Sequence, residues 1–178
     1  QQYATYLRSK TNKAPRVRGW KRYPARPAPE IMIQALGDQE GNRSIQVVLN
    51  PLKEGVRFEG RVVFHNLKPV ELGALVWSLR FGESGKCLHS LGMAKSFGFG
   101  QVKVTIDEKT SVVEKNDLNA ASDSIGLAAC MEAFRHYMET QLADIGGWAK
   151  SPQVEALTTM ADPAERGRFG GKLQHMAL

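Results

Sequence analysis

Phe58-Glu59-Gly60-Arg61-Val62-Val63-Phe64-His65, followed shortly by Pro69-Val70-Glu71-Leu72-Gly73-Ala74-Leu75-Val76-Trp77-Ser78-Leu79, is the stretch on which the fold turns. Phe58, Gly60, Val62 and Phe64 share one parity and Glu59, Arg61, Val63 and His65 the other, which is the period of two of a β-strand. Proline in the first turn and Glu71 at the positive helix end then open a helix. Val70, Leu72, Leu75, Val76 and Leu79 give that helix a broad apolar face over about 69–79.

Downstream, a glycine-rich loop leads into a second alternating strand, with Val102, Val104 and Ile106 set against Gln101, Lys103 and Thr105. Strand, helix, loop and strand from Phe58 to Ile106 form a split unit. In a ferredoxin-like sheet two such strands flank a third from the other half of the fold. No helical pattern precedes the stretch, so the expectation is that the other half lies before Gln1 or in another chain. The opening on Gln1 rather than methionine fits that expectation.

Upstream, Ile31–Leu36 and Ser44–Leu49 read as strands joined by the polar turn 37–42, and Asn50-Pro51 ends the second. The C-terminal third is helical: Leu127, Met131, Phe134, Met138, Leu142 and Ile145 recur at three- and four-residue steps until Gly146-Gly147 stops them. A short helix is expected over about 152–160. The predicted organisation is a basic extended arm (1–30), an α+β segment with the glycine-rich loop (31–110) and a helical C-terminal extension (111–178).

The 178 residues suffice for one globular core, and the 42% hydrophobic content is that of a folded chain. No apolar run reaches the length of a membrane-spanning helix, and no signal-peptide pattern opens the sequence. Cys87 and Cys130 stand apart without Cys-x-x-Cys spacing, and Cys87-Leu88-His89 offers two ligands where a metal needs three or four. The expectations are a reducing cytoplasm, no membrane and no metal or other cofactor.

The formal net charge is +6, and its distribution is uneven: residues 1–29 hold eight Lys or Arg and no acid, while the rest is close to neutral. Pro15, Pro24, Pro27 and Pro29 keep most of this arm out of helix. Within it, Arg16, Arg18, Trp20, Lys21, Arg22 and Tyr23 interleave cations with rings. Cations meet phosphates and rings stack on bases, a combination suited to single-stranded RNA.

The second candidate is the loop His89-Ser90-Leu91-Gly92-Met93-Ala94-Lys95-Ser96-Phe97-Gly98-Phe99-Gly100. Glycines permit positive φ and close approach of a ligand backbone, and successive amides form an anion-binding concavity. Gly92, Lys95, Ser96, Phe97, Gly98 and Gly100 are the RNA-binding candidates here. A tight connection whose aromatics enter the core is the plainer alternative. The order lacks the Gly-Lys-Ser/Thr of a P-loop, so nucleotide hydrolysis is unsupported.

The stretch from Asn50 to Leu79, with Phe64-His65-Asn66-Leu67 before Glu71-Leu72-Gly73, and then the loop from Leu91 to Val102, resembles the C-terminal region of the repeat-associated mysterious proteins (RAMPs) of CRISPR systems. Gly92, Lys95, Gly98 and Gly100 match the family's glycine signature, whereas Ala94 stands where many members have glycine. The arm from Pro15 to Tyr23 is similar to a basic-aromatic element of some longer members. The resemblance implies an RRM-like or ferredoxin-like fold, here its C-terminal portion with added helices. It further implies binding of CRISPR RNA in a type III, RNA-guided, RNA-targeting effector, with target RNA and neighbouring RAMP subunits as partners.

The alternative is an endoribonuclease of the same fold that cuts guide precursor or target RNA with a loop Asp or a His. Asp38, His65 and His89 are its candidates. No spacing rule joins the histidines, Asp38 reads as a solvated turn residue, and Glu30 and Asp107 are no stronger. No catalytic residue is therefore assigned.

Overall fold

The structure is a computed structural model that describes the backbone of Leu7–Arg8 and Arg16–Val17, and residues 22–27, 44, 48–114 and 126–165. Within these residues the protein is α+β. The elements in chain order are β1 (Leu7–Arg8), β2 (Arg16–Val17), α1 (Pro69–Arg80), β3 (His89–Ser90), β4 (Gln101–Val102), α2 (Leu127–Gln141) and α3 (Pro152–Ala161). β1 pairs antiparallel with β2, and β3 pairs antiparallel with β4.

α1 starts as its sequence demands. Pro69 occupies the first turn, where its missing N–H costs nothing, and the Glu71 carboxylate accepts from the Lys68 main-chain N–H at 2.7 Å. It ends one residue beyond the predicted stop. Phe81 takes the left-handed conformation (φ 50°), and the Gly82 N–H returns to the Trp77 carbonyl at 3.0 Å.

α1 packs against α2 at a point of near backbone contact. A Cβ built on Gly73 would overlap the Cys130 carbonyl. Leu72, Val76, Val113 and Cys130 form the core there, with Phe64, Leu75, Ile106, Leu127 and Met131 against it. Burial raises the Cys130 thiol pKa. Both cysteines are buried and free.

An aromatic cluster continues this packing. Trp148 lies edge-on to Trp77 (centroids 4.7 Å) and to Phe134 (5.1 Å). Gly146 and Gly147, both at positive φ, turn the chain after α2. The turn is held by Glu139, whose carboxylate accepts from the N–H groups of Trp148 (2.8 Å) and Ala149 (2.9 Å). α3 is capped by Ser151, whose hydroxyl accepts from the Val154 N–H, and Pro152 sits in its first turn. A second small core joins Phe81, Cys87 and Ala161, with Leu157 against it.

The strand expected at Phe58–His65 is not formed among the described residues. The chain there lies outside any ladder, with Phe58 73%, Val62 59% and Val63 83% exposed. Alternation licenses a strand but does not supply a partner, and the ladder needs one. The strand expected at Gln101–Ile106 is paired only over Gln101–Val102, for the same reason. Ile31–Leu36 lies outside the described residues. Of Ser44–Leu49, Ser44 is a turn residue and Val48 and Leu49 are exposed without strand pairing. The helices at 69–79 and 152–160 are found as α1 and α3. The stripe expected from Leu127 to Ile145 is α-helical only to Gln141, where α2 ends; Ala143–Ile145 form a separate 3₁₀ turn and Ile145 is 65% exposed.

Candidate nucleic-acid interface

The glycine-rich loop is the tip of a hairpin rather than a connection from helix to strand. His89 pairs with Val102 and Ser90 with Gln101, and the Leu91 N–H closes the loop onto the Gly100 carbonyl at 2.8 Å. Gly100 (φ 67°) is required at that closure, because a Cβ would overlap the Leu91 carbonyl.

Inside the loop, Lys95–Phe97 make one 3₁₀ turn, flanked by Ala94 (φ 54°) and Gly98 (φ 87°), both left-handed. The amides of Phe97 and Phe99 donate to the Ala94 carbonyl, and that of Gly98 to Lys95. Those N–H groups close the turn and do not face outward as an anion nest. Phe97 and Phe99 are half-buried, so neither is an open stacking platform. What the loop does present is Leu91 (69% exposed), Gly92, Met93 (68%) and the Lys95 ammonium, which donates to the Gly92 carbonyl at 2.6 Å. Ser96 is half-buried beside them.

The arm begins with a register that sets Leu7 against Val17 and Arg8 against Arg16. Arg18, Trp20 and Lys21 lie outside the described residues.

Arg22 is turned onto the fold. Its guanidinium donates to the Leu88 carbonyl and lies over the Phe81 ring, 5.2 Å from the centroid. Phe81 in turn stacks on His89 (4.3 Å, 29°). Burial lowers the Arg22 pKa, with the Cys87 sulfur acting in the opposite sense. Tyr23 is exposed.

Residues that the sequence did not single out for binding complete the arrangement. The Gln101 side-chain amide accepts from the Arg26 main-chain N–H at 2.7 Å and donates to the Arg26 carbonyl at 2.7 Å, as a neighbouring strand would. Arg26 itself is 4% exposed. The Ala25 N–H donates to the Met160 carbonyl (2.7 Å), and the Leu88 N–H to the Ala161 carbonyl (2.9 Å). These are carbonyls of the last turn of α3, which lack partners within the helix. Gln101 directly follows the glycine loop, which was the one local signal available.

Of the nuclease candidates, those among the described residues have separate surroundings. His89 Nε2 donates to the Leu79 carbonyl at 2.8 Å and its ring is stacked, so packing accounts for it. His65 is exposed on the unpaired stretch. Asp107 organises a turn through Lys109, Thr110 and Ser111. Asp38 and Glu30 lie outside the described residues. Among the described residues no three His, Cys, Asp or Glu side chains form a group able to hold a metal ion, and no helix is long and apolar enough to cross a membrane.

No family model, curated protein or solved structure matches the chain.

Proposed function

We propose that this chain is an RNA-gripping segment of the RAMP kind, with a ferredoxin-like relationship between its α1 unit and a partner half-fold. It binds CRISPR RNA within a type III, RNA-guided, RNA-targeting effector, next to neighbouring RAMP subunits and the target strand. The observation that carries the reading is the glycine hairpin with residues 22–27 bonded at its root. The loop offers Lys95 beside exposed main chain at Gly92, and the sequence ahead of Arg22 holds six further cations. A surface of cations on permissive backbone grips phosphates without reading bases, as a protein that holds a variable guide must. The sequence resemblance of the Glu71-Leu72-Gly73 element and the loop supplies the family.

Fluorescence anisotropy with a labelled repeat-derived single-stranded RNA tests this. Tight binding that weakens with salt, and a slope reduced by roughly 0.7 in Lys95→Ala, is the expected result. Equal binding to duplex DNA, or none to RNA, overturns the proposal.

A further inference from the structure

We infer that residues 56–65 pair with the same residues of a second copy of the chain, as antiparallel strands related by a two-fold axis at Gly60. The inference needs no RNA and stands apart from the RNA-binding reading.

The stretch is available for pairing. Gly55 (φ 85°) and Asn66 (φ 55°) bracket it, and no residue between them has positive φ. It lies outside any ladder among the described residues, so its main chain is an open edge of the kind that takes another strand. Residues 56–63 are all exposed, on both parities. Phe64 is half-buried against the core of Leu72, Val76, Val113 and Cys130, and it roots the stretch on the packing of α1 with α2.

A second copy fits because the stretch complements itself in one register. Turned about Gly60, an antiparallel copy sets Phe58 against Val62, Val56 against Phe64 and Gly60 against itself, all on one face. On the other face Glu59 meets Arg61, twice over by symmetry. Moving the axis by one residue instead sets Arg61 against Arg61, or Glu59 against Glu59.

Gly60 supports the same axis. A Cβ built on it meets nothing within 4 Å, and its φ is not positive, so the chain's own fold does not require glycine there. Glycine inside a strand commonly marks the close approach of another backbone. In the pair, Phe58 lies diagonal to Gly60 of the second copy, where its ring covers the bare position.

Sedimentation velocity of the full chain over a concentration series reads the dimer. Glu59→Arg and Arg61→Glu are each expected to weaken it about tenfold, because each sets like charges at both cross-strand pairs. Both side chains are exposed and outside any helix, so the helical circular dichroism of each variant is expected to match wild type. The double variant restores the dimer, and the two single variants mixed together associate more tightly than either does alone. Gly60→Cys is expected to form an intermolecular disulfide on mild oxidation, since directly opposed Cα atoms lie about 4.5–5.5 Å apart, whereas Val63→Cys is not. A wild type that stays monomeric overturns the inference, as does a dimer indifferent to the charge reversals. A dimer that responds to them but lacks the Gly60→Cys link overturns the register.

Discussion

Gly73 of α1 lies against the main-chain carbonyl of Cys130 in α2, closely enough that a Cβ on Gly73 would overlap it. The consequence is a packing constraint on the Glu71-Leu72-Gly73 element: Glu71 serves the helix start, Leu72 the core, and Gly73 the crossing. Gly73→Ala forces the two helices apart, and overpacking of this kind costs about 3 kcal/mol. Urea denaturation of the variant is expected to show that loss. An unchanged midpoint would mean that the helices cross elsewhere.

Ala94 takes φ 54° in the glycine loop, where a Cβ is unfavourable by roughly 1 kcal/mol. Ala94→Gly relieves this and adds chain entropy to the unfolded state, so a gain of about 0.5 kcal/mol is expected. Gly100→Ala, by contrast, meets the Leu91 carbonyl and is expected to cost about 2 kcal/mol. Thermal midpoints that move in opposite directions for the two variants check both statements.

Glu139 links stability to pH. Main-chain N–H groups of Ala149 and then Trp148 hold its carboxyl below the ordinary glutamate value. With the folded pKa below the unfolded one, the stabilisation is fully present above the ordinary range of about 4.3 and is lost as pH falls through the folded value. Glu139→Gln lacks it throughout. Urea midpoints of wild type and variant are expected to differ most near neutrality and to converge in acid. A gap that persists at low pH would assign the effect to shape rather than charge.

Trp148 is 8% exposed and contacts both Trp77 and Phe134 edge-on. Trp148→Ala empties the centre of this cluster and is expected to cost about 4 kcal/mol. Near-ultraviolet circular dichroism is expected to lose its indole signal well beyond a third, because Trp77 loses its neighbour too.

What the sequence revealed follows the range of the interactions involved. α1 was legible because Pro69, Glu71 and the apolar face are all local, and its end shifted only by the left-handed turn of Phe81. The stripe of α2 was legible for the same reason, although Cys130, at 0% exposed, is its most buried member and lay outside the expected series. Phe58–His65 shows the opposite case. Its alternation is as regular as any in the chain, but a strand is a relation between two segments and one segment cannot display it. β3 spans only His89–Ser90, too short for any period to show.

In the candidate site, the glycines and Lys95 were legible by composition, and the loop's closure was not. Arg22 was read as an RNA contact because cations near aromatics bind RNA. Its contact with Phe81, 59 positions away, was not legible locally. Gln101 and Arg26 meet across 75 positions, a distance over which no local pattern carries information.

The carbonyls at the end of α3 also bear on the order in which the molecule assembles. Met160 and Ala161 receive the amides of Ala25 and Leu88, so the chain's early and middle parts are tied by its late part. During synthesis the arm emerges well before the helix that receives it. Long loop closure makes such contacts slow to form. Docking of residues 22–27 on α3 is thus a late event, completed only after α3 has folded.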